Sequence, residues 1–185
     1  MRILALAGSL RAGSHNLALV REARRLAPAD VEVAIWEGLR ALPHYDADLD
    51  AAPADPAVAD LRAAIAAADA LLVATPEYNG SVPGVLKNAV DWASRPFPGG
   101  PLQGIPAAVI GATTGSFGAV WAQADLRKAL GISGARVLEE GLALPHADRA
   151  FDGDGRLVSA EHRDELTAVL TAVAAEARAR AARAA

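Results

Sequence analysis

The sequence predicts an α/β fold, a five-stranded parallel sheet in the order 2-1-3-4-5 with helices on both faces. Three observations predict it. Five short apolar runs alternate with helical stretches, which is the pattern of βαβ units. The runs lack polar alternation, as strands buried on both faces should. Three loops rich in Gly, Ser, Thr and Asn, residues 8–16, 75–84 and 111–118, follow runs one, three and four. In that strand order the three loops are neighbours, at the end of the sheet where such folds bind ligands.

Each element follows from local chemistry. Ile3 to Ala7 is the first strand, and residues 15–27 are a helix that Pro28 stops. Val31 to Ile35 is the second strand. Residues 36–56 hold Pro43, Pro53 and Pro56 and show no clean period, so they are irregular. A helix is expected over 57–68, then a third strand over Ala70 to Ala74. The loop TPEYNGSVPG leads into a helix over 83–94, with Asn79-Gly80 as a turn and Ser81 as a candidate N-cap. Pro106 opens a fourth strand, Ala107 to Ile110, and GATTGSFG leads to a helix over 118–130. Ala135 to Leu138 is the fifth strand, extending toward Leu144, and an Ala/Arg-rich helix runs from 160 into the tail.

The length of 185 residues suits one domain spanning 1–185. Cysteine is absent, which excludes disulfides, thiolate nucleophiles and iron–sulfur clusters. The net charge of -4 gives no basic surface for nucleic acid. No apolar stretch reaches the roughly 18 residues of a membrane span, and the first strand is too short for a signal peptide. A cytoplasmic protein without nucleic-acid or membrane partners is therefore expected.

The loop GSLRAGSHN lies where a strand hands over to a helix. Free N–H groups and the positive end of the helix dipole favour an anion there. Ser9, Ser14 and Asn16 add donors, and Arg11 adds a charge with forked geometry. The set matches a phosphate, although it is neither a Walker loop nor a dinucleotide fingerprint. The bland alternative is an ordinary turn with Ser14 as N-cap. In the second loop, Glu77 and Tyr78 could meet a polar chain and a ring, or be a solvated charge and a packing aromatic. The third loop offers Thr113, Thr114, Ser116 and the close backbone approach of Gly115 and Gly118, with Phe117 as core or rim. A phosphate, a polar chain and a flat ring together describe a flavin mononucleotide.

The stretches GSLRAGSHN, LPHYDADLD (42–50) and above all PEYNGSVPGVLKNAVDW (76–92) resemble the flavodoxin-like NADPH-dependent FMN reductases, which include bacterial quinone, chromate and azo-dye reductases. The resemblance implies a flavodoxin-like three-layer sandwich with noncovalent FMN and with NADPH or NADH as electron donor. It implies a phosphate site of Ser9, Arg11, Ser14, His15 and Asn16. Pro76, Glu77, Tyr78, Asn79 and Gly80 would line the ribityl chain and ring, and Thr113, Thr114 and Gly115 would approach the ring. It also implies a homodimer or homotetramer with helix 83–94 near the interface, and a small-molecule electron acceptor such as a quinone, azo dye, flavin or metal oxyanion. Chemistry proceeds on the flavin by a ping-pong cycle, with no catalytic side chain of the protein. Tyr78 would shape the acceptor pocket. The N–H groups of 111–118 and the helix N-terminus beside them would meet the N1–C2=O edge of the ring.

One stretch departs from the family's Gly-Gly-x-Arg-Ala-Gln run. Ala119 replaces the second glycine and Trp121 the arginine, while Gln123, Leu126 and Arg127 fit. HYDADLD has Asp46, Asp48 and Asp50 but Ala51 and Ala57 where a calcium loop needs Gly and Glu, so no metal site is expected. His146 reads as a loop histidine, FDGDGR (151–156) as a tight turn, and Trp92 as core or, second, interface. Two other readings compete with the reductase: a flavodoxin-type electron carrier, and a non-catalytic FMN-binding protein.

Overall fold

The structure is a computed structural model that describes residues 1–50 and 54–184. Ala51 and Pro53, named above, and Ala185 at the end of the tail lie outside the described residues. The elements are β1 (Arg2–Ala7), α1 (His15–Leu26), β2 (Glu32–Trp36), α2 (Pro56–Ala66), β3 (Ala70–Thr75), α3 (Gly84–Ala93), β4 (Pro106–Ala112), α4 (Val120–Ile132), β5 (Arg136–Val137), β6 (Ala143–Leu144) and α5 (Ala160–Ala184). The sheet is parallel in the order β2-β1-β3-β4-β5, as the sequence predicts. Short 3-10 turns at Gly38–Ala41 and Ala47–Leu49 occupy the irregular stretch.

The lack of alternation in the strands has its expected cause. Ile3, Ala5, Leu72, Ala108 and Ile110 pack on one face against α1 and α5, through Leu19, Val20, Leu166, Val169 and Val173. Leu4, Leu6, Leu71, Val73 and Val109 pack on the other against α2, α3 and α4, through Leu61, Ile65, Leu86, Leu126 and Leu130. Every residue of β3 and β4 is buried. Both faces are thus apolar, and period two vanishes from the sequence.

The fifth strand differs from its expected form. It is two separate two-residue pieces, β5 and β6, both paired with β4. Arg127 of α4 fills the break. It donates to the Leu138 carbonyl and, at 3.1 Å, to the Val109 carbonyl, serving backbone acceptors in the break. Trp92 is core and not interface. It is 1% exposed, donates from Nε1 to the Pro43 carbonyl at 2.8 Å and meets Tyr45 edge-on at 4.9 Å. The Asp residues of HYDADLD have local work: Asp46 caps the 3-10 turn at Asp48 N, and Asp50 pairs with Arg62 at 2.8 Å. FDGDGR closes as a turn, with Asp152 N donating to the Arg156 carbonyl at 2.9 Å. No described helix is long and apolar enough to cross a membrane.

Candidate functional site

The loops after β1, β3 and β4 converge on one cavity of about 170 Å3. Its lining comprises Ser9, Arg11, Ser14, His15 and Asn16 from the first loop, Pro76, Glu77 and Tyr78 from the second, and Ala112, Thr113 and Thr114 from the third. Asn79, Gly80 and Gly115, also named from the sequence, lie outside the lining.

The first loop opens α1. Ser14 is its N-cap, accepting from Leu17 N at 3.1 Å. The bland reading of Ser14 is therefore geometrically true, and compatible with the anion reading because the hydroxyl proton stays free. The backbone N–H groups of residues 12 to 16 have no acceptor among the described residues. Arg11 lies beside them. Its guanidinium folds back onto the Gly13 carbonyl at 2.7 Å from Nη2, and the same nitrogen is 3.4 Å from His15 Nε2. A helix N-terminus with this many unpaired N–H groups beside Arg11 and His15 is suited to an anion by charge and by hydrogen bonding.

Asn16 does more for the frame than for the opening. It is 2% exposed, donates from Nδ2 to the Ala112 carbonyl at 2.9 Å and accepts from Ala112 N at 3.0 Å. This two-way bond ties the start of α1 to the end of β4 and leaves one amide hydrogen over.

The second loop is a two-residue hairpin. Tyr78 and Ser81 exchange both backbone bonds, and Asn79 and Gly80 between them have φ of 53° and 74°. Positive φ at both positions is what a type I′ turn requires and what Asn-Gly supplies. The turn lifts Tyr78 to the rim, where it is 51% exposed with its hydroxyl 3.3 Å from Ser9 Oγ. Ser81 is not the N-cap of α3, correcting the sequence reading. Its backbone is committed to the hairpin and its hydroxyl donates to Asp125 at 2.6 Å, so Pro83 stands at the cap position without a side-chain bond.

Glu77 has a partner the sequence did not suggest. Its Oε2 accepts from Trp121 N at 3.0 Å and Ala122 N at 3.1 Å, capping α4 from 44 residues away. The cap is needed because the N-cap residue, Ala119, has no polar side chain and sits at φ 63°. Gly118 before it, at φ 60°, lies so close to Ala143 that a Cβ would fall 2.4 Å from its carbonyl carbon. The N-terminus of α4, expected beside a ring edge, thus already carries the chain's own carboxylate. Within 111–118, the N–H groups of Gly111, Ala112, Thr113 and Gly115 are also engaged. Those of Thr114, Ser116, Phe117 and Gly118 have no acceptor among the described residues.

Sequence reasoning named Gln123 and His146 but not their part in setting this third loop. Gln123 is buried and donates to the carbonyls of Gly118 and Leu142. His146, at φ 49°, donates its backbone N–H to Gly115, and Ala147 does so to Thr113. Phe117 and Trp121 pack edge-on at 5.1 Å and stand exposed beside the loop, so Phe117 is rim and not core.

Comparison with known proteins agrees with this geometry. The family model described as NADPH-dependent FMN reductase matches residues 1–149. An NAD(P)H-dependent FMN reductase of Pseudomonas aeruginosa is 42% identical over 174 residues, 94% of this chain and 93% of that protein. A quinone reductase of Escherichia coli strain K12 is 36% identical over 175 residues, 93% of each. The solved flavoenzyme FerB, an NAD(P)H:(acceptor) oxidoreductase of Paracoccus denitrificans, superposes with a TM-score of 0.87 at 34% identity, covering 96% of this chain and 97% of that one. A flavodoxin of Pseudomonas aeruginosa, 21% identical with a TM-score of 0.58, shares the fold. An open helix N-terminus with basic neighbours, three loops converging on one cavity, and similarity along nearly the whole chain place this protein in the NADPH-dependent FMN reductase family.

Proposed function

We propose that this FMN-dependent NAD(P)H oxidoreductase works as one domain and passes electrons to a quinone or a similar small acceptor in two half-reactions. The carrying observation is the cavity of about 170 Å3 at the open N-terminus of α1. It is smaller than the ~300 Å3 of an ordinary ligand pocket, so it suits the phosphate and polar chain of a mononucleotide, with a flat ring extending onto the rim. The donor set agrees. Arg11, His15 and the free N–H groups of residues 12 to 16 meet the dianion, Ser9 and Ser14 add hydroxyls, and Asn16 adds its one free amide hydrogen. Pro76, Tyr78, Thr113 and Thr114 border the chain and ring, with Asn79, Gly80 and Gly115 shaping the loops that carry them. The unpaired N–H groups of Thr114, Ser116, Phe117 and Gly118 are available to a carbonyl edge.

Bound flavin supplies the hydride acceptance and release, and the protein holds, orients and shields it. Glu77 keeps its negative charge on α4 and so away from the phosphate. Tyr78, exposed at the rim, limits what can approach the ring face. The related quinone reductases support a quinone as acceptor. NAD(P)H as donor supports a cytoplasmic location. A homodimer or homotetramer is part of the reading, supported by the groove of about 630 Å3 between α3 and α4, where Ile132 is 71% exposed; light scattering of the purified protein measures it.

Anaerobic mixing of the FMN-loaded protein with NADPH tests the whole. Bleaching of the visible flavin band followed by recovery on adding a quinone is expected. A flavin that stays oxidised in NADPH would mean an electron carrier or a binding protein instead.

A further inference from the structure

A larger cleft of about 700 Å3 adjoins the cofactor cavity, and Tyr78 lines both. Its walls are the 3-10 turn Gly38–Ala41, the segment 42–45 and the outer face of α3. The walls are pinned. Asn88 accepts from Tyr45 N at 2.7 Å and donates to the Pro43 carbonyl at 2.8 Å, where Trp92 donates too.

Four ionisable side chains with charge to offer line this cleft: Arg40, His44, Lys87 and Asp91. They are not equivalent. Lys87 and Asp91 pair at 2.7 Å and largely cancel. Arg40 has no carboxylate partner among the described residues. One of its five N–H groups goes to the Leu10 carbonyl at 2.9 Å. The rest of the planar fork is unspent, and His44 stands exposed in the same wall.

A hydride donor must bring its nicotinamide to the ring face beside Tyr78. Its remaining length then needs an adjoining cleft, and this one begins at Tyr78. NADPH differs from NADH by a single phosphate monoester on the adenosine ribose. A guanidinium with several free donors and no counter-charge is the side chain best matched to a phosphate. We infer that this cleft takes the adenosine half of the hydride donor and that Arg40, seconded by His44, recognises its 2′-phosphate, making the enzyme selective for NADPH over NADH. The inference rests on the oxidoreductase reading above. No run of basic residues announces it, because Arg40 and His44 act from a turn and a loop whose place beside Tyr78 only the fold reveals.

The test compares kcat/KM for NADPH and NADH, with a neutral quinone as acceptor, in FMN-loaded wild type, Arg40→Met and Arg40→Lys. The wild type should favour NADPH by about tenfold or more, Arg40→Met should reduce that ratio by about tenfold, and Arg40→Lys should restore part of it. In parallel, 2′,5′-ADP should compete with NADPH in the wild type and weaken by about tenfold in Arg40→Met, while 5′-AMP should bind both alike. A wild type that prefers NADH overturns the inference. So does an unchanged ratio, or an equal loss for both dinucleotides, which would make Arg40 a mere support for Leu10. If neither dinucleotide reduces the loaded flavin, the oxidoreductase reading itself falls, and this inference with it.

Discussion

Helices α1 and α4 begin at the same end of the sheet, and their N-termini are finished in opposite ways. At α4 the chain supplies its own anion: Glu77 accepts from Trp121 N and Ala122 N. At α1 the single cap is the neutral hydroxyl of Ser14, and the N–H groups of residues 12 to 16 have no acceptor among the described residues and lie beside Arg11 and His15. Both ends carry the same partial positive charge. The difference supports α1 as the end that meets the phosphate in the proposed function. A helix end closed by a carboxylate disfavours a second anion, whereas an open end with basic neighbours favours one.

The contrast can be broken most severely at Asn16, which fixes where the open end points. Asn16→Ala would leave the buried N–H and carbonyl of Ala112 unpaired and cost about 3 kcal/mol, read by urea unfolding of the FMN-free protein. A loss under about 1 kcal/mol would mean water replaces the amide without strain. Next is the charge at the open end. Arg11→Ala should weaken FMN by about tenfold or more in a fluorescence titration, with unfolding little changed; equal FMN loading of variant and wild type would remove Arg11 from the phosphate site. Glu77→Ala strikes the closed end and should cost about 1.5 kcal/mol of stability, the upper range for a lost helix cap. If Glu77→Ala instead left stability intact and only altered FMN affinity, the two ends would not be as different as their bonds suggest.

The smaller effects sharpen the same picture. Tyr78→Ala should change quinone kcat/KM by the equivalent of about 1 kcal/mol while FMN content holds, as removal of one rim aromatic would. Ala119→Gly sets two influences against each other. Relief of left-handed φ gains about 1–2 kcal/mol, and the freer unfolded chain gives back up to about 1. A net gain of about 0.5 kcal/mol in thermal unfolding is expected, and a loss would show that the 63° backbone is comfortable for alanine here.

What could be read in advance divides along the range of the interactions. The strand order followed from apolar runs and loop chemistry, and Asn79-Gly80 announced its turn because the residues that need positive φ are the ones that make it. The cavity was legible as three loops, since each loop is continuous in sequence. Residues that act across the fold were not. Glu77 gives no local sign of capping a helix 44 residues on, and Ser81 looked like a cap because serine is a favoured cap residue and Pro83 follows two positions on, near the first helical turn. The split between β5 and β6 depends on Arg127 filling the break from α4, a contact no periodicity encodes. Arg40 and His44 sit in a stretch with no regular pattern, and their neighbours in the cleft come from α3.

The Asn16–Ala112 bond joins residues 96 positions apart. Closing so long a loop is slow, and contacts of this kind form late in folding. The cavity draws on loops after β1, β3 and β4, so a chain that has assembled its first three strands alone lacks the proposed cofactor site. Cofactor capture is then a checkpoint on the finished fold. FMN at a hundred times its dissociation constant would add about 2.7 kcal/mol to the native state and nothing to partly folded chains.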